Sequence, residues 1–133
     1  MSVAVFDTSA IFAAVVEEDP HHEQARGIFR KMGQCILPTT VVTELAYVFW
    51  KHKIPGRVLH AIVTHPKIRV VCDTKAQKSA VEDLAGRNLS LLRLNDLTIL
   101  LTAQRHNTPL VSFDRQLRAD AKNRGIKVLP ENI

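Results

Sequence analysis

The sequence predicts an α/β protein, a central parallel sheet covered by helices on both faces to make three layers. Two observations predict it. Five short apolar runs, at 3–6, 35–37, 69–72, 110–112 and 127–129, alternate with longer segments of helical periodicity. Strand–helix units of this length imply parallel pairing through right-handed crossovers. The composition is that of a folded chain, with 46% hydrophobic and 23% charged residues and only 5 Gly and 6 Pro. At 133 residues one domain over 1–133, with one large core, is expected.

The elements follow in order. The first run, VAVF, halts at Asp7 and passes through Thr8 and Ser9 into a helical segment over 10–18. Asp7, Thr8 or Ser9 can cap that helix, because such side chains satisfy orphan N–H groups. Further helices are expected over 21–32, 40–52, 55–64, 74–88, 94–106 and 115–124. In the last of these Leu117 and Ala121 share a face, and Gly125 is placed to stop the helix. Thr108-Pro109 and Arg124-Gly125 mark turns before the last two strands. No internal repeat, low-complexity tract or linker is visible.

Several classes drop out at once. No apolar run approaches the roughly 18 residues of a membrane span, and the N-terminus lacks a signal-peptide pattern, so a cytoplasmic protein is expected. Cys35 and Cys72 lie in apolar surroundings without zinc spacing and are expected to be buried thiols. A disulfide stays open only if their strands are neighbours, and a reducing compartment opposes it. The six histidines, His21 and His22 among them, show no metal-ligand spacing and read as surface residues. The formal net charge of +5 favours a polyanionic partner. Its carriers are spread through Arg30-Lys31, Lys51–Lys53, Lys67–Arg69, Arg115, Arg118, Lys122 and Arg124, as on an ordinary solvated surface.

Four acids look out of place. Asp7 and Asp114 each follow an apolar strand, and ligands of doubly wound sheets bind beyond the carboxyl ends of strands. Glu44, in TTVVTELAYVFWKH, lies between Val41 and Val48 on the border of an apolar helix face, where a snorkelling surface glutamate is the alternative. Asp96, in LRLNDLTILLTAQRH, projects between Leu100 and Ala103 near the middle of the apolar stripe. An unpaired carboxylate is costly there. If Asn95 caps the helix, however, Asp96 merely faces the dipole in the first turn. Four carboxylates converging on one pocket repel unless cations occupy it. An all-oxygen donor set selects hard ions such as Mg²⁺ or Mn²⁺. In a basic protein that chemistry points to metal-assisted phosphodiester hydrolysis.

The stretches FDTSAIFAAV, TELAYVF, NDLTILLTAQ and LVSFDRQL, in this order over nearly the whole chain, resemble the PIN-domain nucleases, particularly the small VapC-type toxins of toxin–antitoxin pairs. The resemblance implies a five-stranded parallel sheet of order 3-2-1-4-5 and a Mg²⁺/Mn²⁺-dependent ribonuclease. It implies that Asp7, Glu44, Asp96 and Asp114 are the family's four acids, with metal held by Asp7, Asp96 and Asp114. Ser9 and Ser112 match supporting positions. An RNA substrate, a small antitoxin and further copies of the chain, in a homodimer or higher homo-oligomer, are the expected partners. Leu100 and Thr102 stand where the family often has small residues.

Two other functions are weighed. A receiver-type Mg²⁺-binding signalling module would use Asp73 as phosphoacceptor with Lys127, but FDTS supplies one acid after the first strand where such a site needs two. A non-catalytic PIN-fold RNA-binding protein is the other. Tyr47, Phe49 and Trp50 concentrate aromatic surface on one helix. Tyr47 and Trp50 read either as a partner surface or as covered by 55–64.

Overall fold

The computed structural model describes residues 2–133. Each apolar run forms a strand: β1 (Val3–Phe6), β2 (Gln34–Pro38), β3 (Ile68–Val71), β4 (Leu110–Val111) and β5 (Val128–Leu129). All pairings are parallel, and the order is β3-β2-β1-β4-β5. This is the order the resemblance implied. The chain leaves β1 towards β2 and β3 on one side and returns to β4 on the other, so the topological switch lies between β1 and β4. Phe6 pairs with Val111 there, which puts Asp7 and Ser112 side by side one step further on.

Among the described residues seven helices cover the sheet: α1 (Thr8–Val15), α2 (His22–Lys31), α3 (Thr39–Lys51), α4 (Gly56–Val63), α5 (Thr74–Leu84), α6 (Leu91–Arg105) and α7 (Arg115–Asn123). Three differ usefully from the sequence reading. Helix α1 starts at Thr8 because Asp7 itself is the cap, and it ends at Val15 because Val16 turns extended. Helix α5 stops at Leu84, ahead of the polar Gly86-Arg87-Asn88 stretch. Helix α6 starts three residues early, at Leu91, because the Ser90 hydroxyl accepts the Arg93 N–H at 3.1 Å. Asn95 is therefore not a cap, and Asp96 lies in the second turn, beyond the strongest reach of the dipole. Gly125 does follow α7 in the left-handed region, at φ +74.

The main core fills both faces of the sheet with Ala4, Val5, Phe6, Cys35, Ile36, Leu37, Leu110 and Val111. A second, smaller cluster of Ala80, Leu84 and Leu97 joins α5 to α6. Leu100 and Thr102 are both buried, and the Thr102 hydroxyl is satisfied by the Thr98 carbonyl at 2.8 Å.

Three expectations are corrected, on Cys72, His22 and Arg118, and two open alternatives are decided. Cys72 is exposed, because it follows the edge strand β3. Cys35 is in register with Ile68, so Cys72 stands four residues, roughly 13 Å, along the sheet. That is beyond the ~7 Å limit for a disulfide, and both thiols are free. His22 is buried, its Nδ1–H donating to the Ala13 carbonyl at 2.7 Å. Arg118 is buried as well and donates to the carbonyls of Ser112, Pro130 and Glu131, so it fastens the C-terminal segment instead of adding to surface charge. Tyr47 and Trp50 are 59% and 74% exposed. Helix α4 packs on α3 without covering them.

Candidate active site

The switch point concentrates polar groups. Asp7 is buried, and every oxygen of its carboxylate is engaged. Oδ1 accepts from the Ala10 N–H and the Ser9 hydroxyl, both at 2.8 Å, and Oδ2 accepts from the Ser112 hydroxyl at 2.5 Å. Each serine also accepts a backbone N–H of the loop after β4. Ser112 takes that of Asp114 at 3.1 Å, and Ser9 takes that of Phe113 at 2.9 Å. Two hydroxyls thus tie the end of β1 to the loop after β4 (residues 112–114). Asp114 in turn caps α7 through the Leu117 N–H at 2.9 Å.

Capping and site-building are therefore not alternatives for Asp7 and Asp114. A strand that ends where a helix begins leaves orphan N–H groups at the carboxyl edge of the sheet, and a carboxylate there satisfies one while keeping its charge at the pocket.

Glu44 comes in from α3. The Thr8 hydroxyl donates to its Oε1 at 2.6 Å, and the Asn95 amide reaches its Oε2 at 3.5 Å. Asp96, half-buried on α6, completes the group. Burial, then repulsion from Glu44, Asp114, Asp7 and Asp120, pushes its pKa up to about 7. Burial also raises Asp7 to about 6, against its three hydrogen bonds and with added repulsion from Asp114. The acids predicted from the sequence share one electrostatic neighbourhood. Among the described residues, however, no three His, Cys, Asp or Glu side chains stand in a ready-made metal cage.

Three participants escaped the sequence reading. Thr8 and Asn95, which the sequence offers only as possible caps, hold Glu44. Asp120, half-buried on α7 and bonded to Gln116 Nε2 at 3.0 Å, adds negative charge near Asp96.

A cleft of about 730 Å³ opens beside Asp96, with Arg87, Arg93, Arg124 and Asp120 in its lining. Asp73 lies elsewhere, after the edge strand β3. Its carboxylate caps α5 and holds Arg105 Nε at 3.0 Å; despite its burial, the Ala76 N–H and Arg105 keep its pKa below the usual carboxylate value. Among the described residues its partners are the Ala76 N–H, Arg105 and His106, with no acid of the switch point among them, so the receiver-type site is not assembled.

The family model for the PIN domain matches residues 4–123, from β1 to the end of α7. The chain belongs to the PIN domain family. Solved structures show the same PIN fold. The VapC20 toxin of Mycobacterium tuberculosis, described as cleaving the sarcin–ricin loop, superposes with a TM-score of 0.74 at 18% identity, covering 88% of this chain and 94% of that one. A toxin–antitoxin complex from Klebsiella pneumoniae gives 0.66 at 18% identity, over 96% and 97% of the two chains. VapBC-1 from nontypeable Haemophilus influenzae gives 0.66 at 13%, over 98% and 99%. No curated protein matches this PIN-domain sequence at a significant level. Among the described residues no helix is long and apolar enough to cross a membrane.

Proposed function

We propose that the chain is a single PIN nuclease domain over residues 1–133, a divalent-metal-dependent endoribonuclease that hydrolyses RNA phosphodiester bonds in the cytoplasm as the toxin of a toxin–antitoxin pair. The observation that carries this reading is the hydrogen-bonded chain at the switch point. It runs from Glu44 through Thr8 at the start of α1, and from Asp7 through Ser9 and Ser112 to the backbone of Phe113 and Asp114.

The donor set fits a hard cation, since it offers carboxylate oxygens and hydroxyls with no thiolate or imidazole in the hydrogen-bonded chain. Asp7, Asp96 and Asp114 would hold Mg²⁺ or Mn²⁺, and Glu44 completes the site or positions the attacking water. Such an ion, when bound, acidifies water and neutralises charge developing on the phosphate. The protein's own part is orientation. Ser9, Ser112 and the Ala10 N–H fix the Asp7 carboxylate in one rotamer, and Thr8 does the same for Glu44. Side chains locked in this way do not have to reorganise during the reaction. Arg87, Arg93 and Arg124, lining the cleft next to Asp96, favour a phosphate backbone arriving from that side.

The neighbours solved as toxin–antitoxin complexes support a small antitoxin as protein partner. The exposed pair Tyr47 and Trp50 on α3, ring centroids 5.9 Å apart, is proposed as the contact with a second copy of the chain.

Cleavage of a short single-stranded RNA tests the reading. With Mg²⁺ or Mn²⁺ the wild type cuts, and EDTA stops it. Asp7→Asn and Asp114→Asn each nearly abolish cutting. Full activity in either variant overturns the site assignment, and no cleavage of any RNA by the wild type overturns the function.

A further inference from the structure

A separate recess of about 380 Å³, sharing no lining residue with the arginine-lined cleft, has Ser9, Phe12, Asp19, His21, Phe113 and Asp114 in its wall. Its volume is at the low end of those that hold small ligands. Two of its wall residues already form a stack. The rings of His21 and Phe113 lie 4.6 Å apart between centroids and 13° from parallel.

Both halves of that stack are pinned. The Phe113 N–H donates to the Ser9 hydroxyl, the same hydroxyl that donates to Asp7. His21 sits in the α1–α2 connection, where its N–H donates to Asp19 Oδ1 at 2.8 Å. The neighbouring His22 Nδ1–H anchors that connection to the Ala13 carbonyl. The platform is therefore registered to Asp7 through Ser9, and its His21 half is held to α1 through the buried His22.

From this geometry we infer that the His21–Phe113 stack is a nucleobase subsite. It takes the base of a nucleotide flanking the scissile phosphate, while the phosphate itself faces Asp7 and Asp114. A planar base extends a parallel stack of rings without requiring a particular hydrogen-bonding edge, as on single-strand binding platforms. Holding the flanking base fixes where the phosphodiester falls relative to the carboxylates, which makes His21 a residue that positions substrate. This inference rests on the reading of the acidic group as an RNA-cleaving site.

The test is binding of a labelled single-stranded RNA by fluorescence anisotropy in EDTA, alongside cleavage in Mg²⁺. His21→Ala weakens binding roughly tenfold, the usual scale for one lost base stack, and His21→Tyr, which keeps a planar ring, restores it. An RNA series carrying one abasic nucleotide at successive positions shows a matching loss at a single position next to the cut. That loss does not add to the effect of His21→Ala. Unchanged binding by His21→Ala, or losses that add at every abasic position, overturns the subsite. Coupled losses at one position without any cleavage leave His21 and Phe113 as a base-binding stack but overturn the nuclease reading and, with it, the place of that base beside a scissile phosphate. Cleavage without coupling overturns the subsite alone, and no RNA binding by the wild type overturns both.

Discussion

Asp96 shows how far one side chain can be read. Its place in the apolar stripe of α6 marked it as costly. Its explanation as a first-turn acid disappeared once Ser90 proved to cap the helix. What remains is a half-buried carboxyl repelled by Glu44, Asp114, Asp7 and Asp120. Because its pKa is raised in the folded state, the native protein binds protons more tightly than the unfolded chain. Stability therefore falls as pH rises from the unfolded value near 4 to about 7, and it levels off above that. Asp7, raised to about 6, acts in the same direction. Asp96→Asn is expected to stabilise the metal-free protein above pH 7, by on the order of 1 kcal/mol once solvent screening of a half-exposed group is discounted. The gain should vanish near pH 4. Urea unfolding in EDTA at several pH values measures this. A variant less stable than wild type at pH 8 would remove Asp96 from the acidic group.

At the scale of elements, α3 serves two ends. Its inner face buries Val41, Leu45 and Phe49, and its border delivers Glu44 to Thr8. Its outer face carries Tyr47 and Trp50, which α4 leaves open. Exposed paired aromatics of this size are enriched where proteins meet. Sedimentation at micromolar concentration is expected to show a species of twice 14.9 kDa. The double substitution Tyr47→Ala with Trp50→Ala should return it to the monomer with little change in unfolding free energy, because neither ring is buried within the chain. A wild type that sediments only as a 14.9 kDa species would set the dimer aside. The α1–α2 connection is the other element with a double role, since buried His22 fixes the loop that carries His21. Its signal in the sequence, two adjacent histidines, could not tell which ring turned inward.

For the whole molecule, the acidic group sets an electrostatic cost on the metal-free fold. Carboxylates crowded at the switch point cost stability without a cation. Binding of Mg²⁺ to the native state alone, at 100 times Kd, is expected to add about 2.7 kcal/mol. Asp96→Asn should gain much less. Thermal unfolding with EDTA and with millimolar Mg²⁺, at constant ionic strength, measures the difference, and an equal Mg²⁺ response in both proteins would count against Asp96 as a ligand.

The order of elements and the layered α/β class were legible from the sequence, because strand-length apolar runs and helical periodicity are local properties of the chain. Asp7 and Asp114 were legible as acids at strand ends for the same reason. Their meeting was not a local property. It depends on β4 pairing beside β1, with Phe6 opposite Val111, which brings together residues more than a hundred positions apart. Thr8 and Asn95 offered only possible caps in the sequence, because their use as holders of Glu44 exists only where α1, α3 and α6 converge. Burial was decided at the same level. Cys35 and Cys72 have similar neighbours in the chain, yet one lies in an inner strand and the other beyond an edge strand. Arg118 reads as one more surface charge until its guanidinium is found among the carbonyls of the C-terminal segment. A side chain's type and the periodicity around it are written in sequence; which side chains face one another is set by strand order and register, through contacts that no local pattern encodes.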